Sequence, residues 1–113
     1  MRTIIAGSRS ITDYAAVVAA LAQCPWEITT VLSGGARGVD LLGEMWAQDN
    51  KVKLEVYPAN WKAYGKLAGF ARNVDMAQRA EALVAVWDGE SNGTRHMIRT
   101  AEKHDLRIFV VSH

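Results

Sequence analysis

Two hydrophobic periods alternate along this chain, and that alternation restricts the fold more than any other feature. Short apolar runs rich in β-branched residues, Thr3 to Ala6, Ile28 to Ser33, Val52 to Tyr57, Ala82 to Trp87 and Arg107 to Val111, read as five strands. Four stripes of helical spacing separate them: Tyr14, Val17, Val18 and Leu21, then Val39, Leu42, Met45 and Trp46, then Phe70, Val74 and Ala77, then Thr94, Met97, Ile98 and Ala101. Strand and helix in turn are the mark of βα units feeding a parallel sheet. The expected fold is α/β: a Rossmann-like three-layer α/β/α sandwich around a five-stranded parallel sheet.

The strands differ in a way that orders them. Four are nearly continuous apolar runs, as helices on both faces require, whereas Val52-Lys53-Leu54-Glu55-Val56 alternates. Lys53 and Glu55 would be costly in the sheet interior, so the third strand belongs at an edge. That favours the order 3-2-1-4-5 over the flavodoxin-like 2-1-3-4-5, with right-handed crossovers throughout.

At 113 residues, residues 1–113 read as a single domain. Half of them are hydrophobic, enough for a core, and 22% are charged, too few for a disordered chain. The formal net charge is +1, so no global field would hold the chain on a nucleic-acid backbone or an anionic membrane, and any anion site must be local. The longest apolar run, Tyr14 to Ala22, is well short of the roughly 20 residues a membrane span needs. Arg9 and Asp13 interrupt any signal-peptide pattern, and a lone Cys24 excludes an internal disulfide, so a reducing cytoplasm is the expected compartment. With no CxxC and no closely spaced His pair, no metal site is expected.

Ligands of open α/β sheets bind beyond the carboxyl ends of the strands, where the strand order reverses. The loop after strand one, Gly7-Ser8-Arg9-Ser10-Ile11-Thr12-Asp13, combines a glycine, hydroxyls and an arginine ahead of a helix whose start would be capped, with Ser10 or Thr12 accepting backbone amides and Asp13 favoured by the helix dipole. The loop after strand four, Asp88-Gly89-Glu90-Ser91-Asn92-Gly93-Thr94, reads either as a phosphate turn at a helix N-terminus or as an ordinary turn capped by Thr94. After strand two, Ser33-Gly34-Gly35-Ala36-Arg37-Gly38-Val39-Asp40 offers an amide nest with the charge of Arg37 beside it. It matches neither the Walker pattern nor the dinucleotide fingerprint. Asp40 reads as the partner of a ribose hydroxyl or as an acid favoured by a helix dipole. A long connection then carries Trp61, Tyr64, Lys66, Arg72 and Asn73, aromatics and bases suited to stacking a base and pairing a phosphate, or to packing.

Taken together these stretches resemble the SLOG superfamily of Rossmann-like nucleotide-binding domains. Ser33 to Asp40 is similar to the motif of the DNA-processing protein A branch. Arg72-Asn73-Val74-Asp75-Met76 followed by Gly93-Thr94 is similar to the blocks of the LOG phosphoribohydrolases. Gly7 to Arg9, Ser33 to Asp40, Ala59 to Trp61, Ala68 to Asn73 and Gly93-Thr94 resemble the pattern of the small YspA-like members. The resemblance implies binding of a nucleotide or nucleotide-derived signal such as an ADP-ribose derivative, as a sensor or sequestering protein in bacterial or phage conflict, commonly as a homo-oligomer. It also implies that Gly34, Gly35, Gly93 and Thr94 take the phosphate and that Arg72 sits by the phosphate or ribose. Met97 stands where LOG enzymes carry a glutamate that works on the N-glycosidic bond, and Ser91-Asn92 replaces part of the glycine block.

The expected function is therefore binding without turnover and without a cofactor, at Gly7, Ser8, Arg9, Ser33, Gly34, Gly35, Arg37, Asp40, Trp61, Lys66, Arg72, Asn73, Asp88, Gly93 and Thr94. A phosphoribohydrolase using Asp40, Asp88 or Glu90 is the rival enzyme reading. Single-stranded DNA binding is the second rival, disfavoured by the near-neutral charge. Four Trp and four Met in so short a chain point to a twofold homodimer.

Overall fold

A computed structural model describes residues 1–113. Five parallel strands form one sheet in the order β3-β2-β1-β4-β5: β1 Arg2–Gly7, β2 Thr30–Ser33, β3 Lys53–Val56, β4 Ala82–Trp87 and β5 Arg107–Ser112. Helices α1 (Tyr14–Ala22), α2 (Val39–Asp49), α3 (Trp61–Tyr64), α4 (Ala68–Arg79) and α5 (Asn92–Lys103) fill the connections, with a 3-10 turn at Gly65–Leu67. The order 3-2-1-4-5 and the α/β class are those the alternating third strand implied.

Period-two side-chain direction divides the core in two. Ile5, Val31, Val84 and Val86 point to one face and pack with Val17, Leu21, Val39 and Ala47 of α1 and α2. Their strand neighbours Ile4, Leu32, Leu83 and Ala85 point to the other and pack with Met76, Ala77, Met97 and Ala101 of α4 and α5. Both faces of the three inner strands are thus sealed, at about 1.5–3 kcal/mol for each fully buried Ile, Leu, Val or Met.

The edge position also explains how Glu55 is tolerated. It takes a two-pronged ion pair from Arg2, at 2.9 and 2.7 Å, and a hydrogen bond from the Tyr57 hydroxyl at 2.6 Å. Lys53 is exposed. Three local expectations shift. β2 starts at Thr30 rather than Ile28, and the Thr29 N–H is used on the Met1 carbonyl at 3.1 Å. α3 adds a short helix in the connection after β3, capped by Asn60, which accepts the Ala63 N–H at 3.1 Å. In the stripes, Val18, Met45 and Phe70 are exposed rather than core.

Candidate functional site

The loops that follow β1, β2 and β4 meet because β1 lies between β2 and β4. Ser8 ties them together. It is 1% exposed, its Oγ accepts the Asp88 N–H at 3.0 Å, its N–H donates to Val86 and its carbonyl takes the Val39 N–H. Asp88 in turn accepts the N–H groups of Glu90 and Ser91 at 2.8 and 2.9 Å, which lowers its pKa. Ser33 is fully buried and donates to Glu44 at 2.6 Å while accepting the Gly35 N–H at 3.1 Å. Ser8, Ser33 and Asp88 therefore shape the loops, and none of the three is among the residues that line the cavity between them. Their polar atoms are spent on the turns that make the loops possible.

The turn after β2 needs glycine at two points. Gly38 has φ +80°, a left-handed conformation that starts α2, and the space beside it is taken by the backbone of Ser8 and Arg9. At Gly34 a Cβ would come within 2.5 Å of Arg72 Nη1 and 2.9 Å of Asp40 Oδ2. Both side chains close over the glycine. Asp40 is 7% exposed, and its Oδ2 accepts the Ala36 N–H at 3.1 Å. Burial pushes its pKa up from 3.8 to about 6, against the lowering pull of the Ala36 hydrogen bond and of Arg72. Arg72, half-buried on the second turn of α4, donates through Nη1 to the Gly34 carbonyl and through Nε to Asn73 Oδ1 at 3.1 Å. Burial lowers its pKa, yet a guanidinium stays charged.

Between these loops opens a cavity of about 380 Å³. Gly7, Arg9, Asp40, Trp61, Lys66, Arg72, Asn73, Gly93 and Thr94 all line it. Gly34, Gly35 and Arg37 line a second cavity next to it, and Arg9, Ala36, Trp61 and Arg72 form part of both walls. Of the expected capping residues, Asp13 caps α1 by accepting the Ala15 N–H at 3.0 Å. Thr94 does not cap α5. It lies inside the first turn, 3% exposed, and its hydroxyl donates to Ser91 Oγ at 3.1 Å. No side chain caps the α5 N-terminus, and its first residues Asn92, Gly93 and Thr94 line the cavity, so the positive end of the helix dipole borders it.

Sequence reasoning missed part of the wall. Phe70 lines the cavity with its ring stacked on His96, centroids 4.0 Å apart and planes at 11°. His96 Nδ1 faces Asn73 Nδ2 at 3.1 Å, and because Asn73 Oδ1 is taken by Arg72, that amide nitrogen donates and His96 accepts. A chain of contacts thus runs from the Gly34 loop through Arg72, Asn73 and His96 to Phe70. Twenty-six positions separate Phe70 from His96 in the sequence, and no periodicity signals such a pair. Met97, 1% exposed, also reaches the wall. No group of three or more His, Cys, Asp or Glu side chains is arranged to hold a metal ion.

A parallel sheet of order 3-2-1-4-5, with its cleft at the reversal between β1 and β4, defines a Rossmann-like domain. The chain belongs to the YspA, cpYpsA-related SLOG family, whose model matches residues 1–64. It is 38% identical over 117 positions to the gene 61 protein of Mycobacterium phage D29, covering 95% of this chain and 93% of that protein. DNA processing protein A from Streptococcus pneumoniae has the same fold, with a TM-score of 0.80 at 17% identity. That match covers 99% of this chain and 50% of the other, so the chain spans half the length of that structure. No helix is long and apolar enough to cross a membrane.

Proposed function

We propose that the protein binds a nucleotide or nucleotide-derived signal, with a phosphate held between Arg72 and the N-terminus of α5, and acts as a sensor or sequestering protein. One observation carries this reading. Arg72 is fixed by two hydrogen bonds, and the guanidinium's three remaining N–H groups are left over on the wall of a cavity that the uncapped first turn of α5 also lines. The family's nucleotide-binding character supports it. Mass spectrometry of small molecules released from natively purified protein should find a phosphate-bearing compound. Loss of a charge-assisted hydrogen bond costs roughly 1.5–3 kcal/mol, so Arg72→Ala should weaken binding about 10- to 150-fold by calorimetry. Unchanged affinity in a folded Arg72→Ala variant removes Arg72 from the site, and no binding of any nucleotide at millimolar concentration removes the reading.

Two rivals have specific support. The fold neighbour is a DNA processing protein, so the fold lends nothing to the expectation that nucleic acid is excluded. The argument from net charge also weakens, because Arg9, Arg37, Lys66 and Arg72 gather on the walls of two adjoining cavities. Fluorescence anisotropy with a labelled single-stranded oligonucleotide tests this: salt-dependent binding at submicromolar concentration would favour DNA. Hydrolysis of nucleoside 5′-monophosphates is favoured by Asp40, a cavity carboxyl with a pKa of about 6. Met97 supplies no acid or base at the position of the LOG glutamate. Our reading is binding without turnover, and chromatography after overnight incubation with AMP should show no free base beyond stoichiometry.

A further inference from the structure

The nucleotide reading leaves the ligand's sugar open, and the pair beside Gly34 narrows it. Asp40 is 7% exposed; its Oδ2 accepts the Ala36 N–H, and its Oδ1 takes no hydrogen bond from the protein. No fully enclosed side-chain oxygen or nitrogen in the molecule lacks a partner, so Oδ1 reaches open space, and the space that Asp40 lines is the cavity. A carboxylate stripped of most of its water with an idle oxygen is costly until something donates to it.

The nearest cation does not. Arg72 closes over the same glycine from the other side, yet the molecule's ion pairs are Arg2–Glu55 and Arg79–Asp75, and Asp40 is in neither. Arg72 uses Nε on Asn73 and Nη1 on the Gly34 carbonyl, and its Nη2 has no partner. An idle acceptor and an idle donor therefore belong to two side chains that line one cavity and approach each other over Gly34 through their other atoms, Oδ2 and Nη1, without forming an ion pair. A group that donates and accepts at once satisfies both. A phosphate oxygen does not, because it only accepts and carries the same charge as Asp40. A hydroxyl does.

We propose that Asp40 and Arg72 together read a sugar hydroxyl, so that the site takes ribonucleotides and discriminates against their deoxy forms. The inference rests on the nucleotide reading and adds its sugar specificity. It also turns away a DNA strand, whose sugars carry no 2′-hydroxyl and have their 3′-oxygens esterified. A deoxy ligand leaves Asp40 desolvated and unpaired, which is how a site built for a hydroxyl rejects the analogue lacking it.

Calorimetry at neutral pH with ribose 5-phosphate and its 2-deoxy and 3-deoxy forms, and with AMP and its 2′-deoxy and 3′-deoxy forms, reads the discrimination. At least one deoxy form should bind about 10-fold or more weakly than its parent. Asp40→Ala, or Asp40→Asn if the alanine variant does not fold, should bring parent and deoxy form within about twofold while orthophosphate affinity holds or rises. Equal affinities in the wild type, or discrimination that persists in the folded variant, overturns the proposal. If orthophosphate, ribose 5-phosphate and AMP all fail to bind, the nucleotide reading falls, and this inference falls with it.

Discussion

Gly34 is a residue whose replacement separates site from fold. The atoms a methyl would meet are the ends of the Arg72 and Asp40 side chains, which can swing aside, rather than backbone. Gly34→Ala should therefore lower the melting temperature by only a few degrees while costing about 10-fold in orthophosphate affinity. Asp40 makes a pH prediction with a definite sign. Its folded-state pKa, about 6, lies above the 3.8 of an unperturbed carboxyl, so between those values the folded protein holds a proton the unfolded chain has released. Its ionisation thus costs stability as pH rises from 3.8 to about 6, and the cost, on the order of 3 kcal/mol, is complete above that. Arg72, Glu44 and Arg9 are the charges that face it, and Asp40→Asn leaves all three in place. In calorimetric scans Asp40→Asn should be more stable than wild type at pH 7.5, with the advantage gone at about pH 4. Equal stability at both values would contradict the burial of this carboxyl.

The contacts between elements carry two more expectations. Ser8 is the buried hydroxyl that joins the β1 and β4 loops, and removing it leaves the Asp88 N–H without its partner. Ser8→Ala should cost about 1–3 kcal/mol in denaturant unfolding, whereas substitution of exposed Ser10 should cost little. Between α4 and α5, the His96 pKa is lowered, by burial first and by Lys103 second. The Asn73 amide can donate to Nδ1 only while that nitrogen is bare. By NMR titration, Phe70→Ala, which uncovers the imidazole, should move the His96 pKa up towards 6.5. Much of this scale was legible beforehand. Lys53 and Glu55 ordered the sheet because a buried strand has no place for them, and the glycines near residues 34 and 93 marked the loops that meet. What stayed hidden had no periodic signature. α3 has only four residues, and a polar side chain in a glycine-rich turn reads the same whether it serves the ligand, as Asp40 is proposed to, or the turn, as Ser8, Ser33 and Asp88 do. Phe70 fell on a helical stripe, yet it is 42% exposed and faces the cavity instead of the core.

On the scale of the whole molecule, the abundance of Trp and Met is largely absorbed by the fold. Met76 and Met97 are buried, and Trp26, Trp46 and Trp87 are half-buried. Exposed apolar side chains gather instead on the stretch that borders the cavity, where Trp61 and Tyr64 are each 57% exposed and Leu67 is 63% exposed. Surfaces of this kind mark contacts with partners, and a homodimer remains our reading. Light scattering should return about twice the 12.4 kDa chain mass, falling to the monomer when Trp61 and Leu67 are both replaced by polar residues. A monomer at micromolar concentration would count against it.

The place of β1 at the centre of the sheet has a consequence for how the chain is made. Thr3 pairs with Ala82, so on the ribosome the central strand waits for a neighbour still seventy-nine residues from being synthesised. At translation speeds of roughly 5 to 20 residues per second that interval is about 4 to 16 s, during which an apolar strand has one flank uncovered. The cleft at the β1–β4 seam cannot exist until that wait ends, so the nascent protein acquires this cavity late and all at once, and any chaperone that shelters it must hold the amino-terminal half while the rest is still being translated.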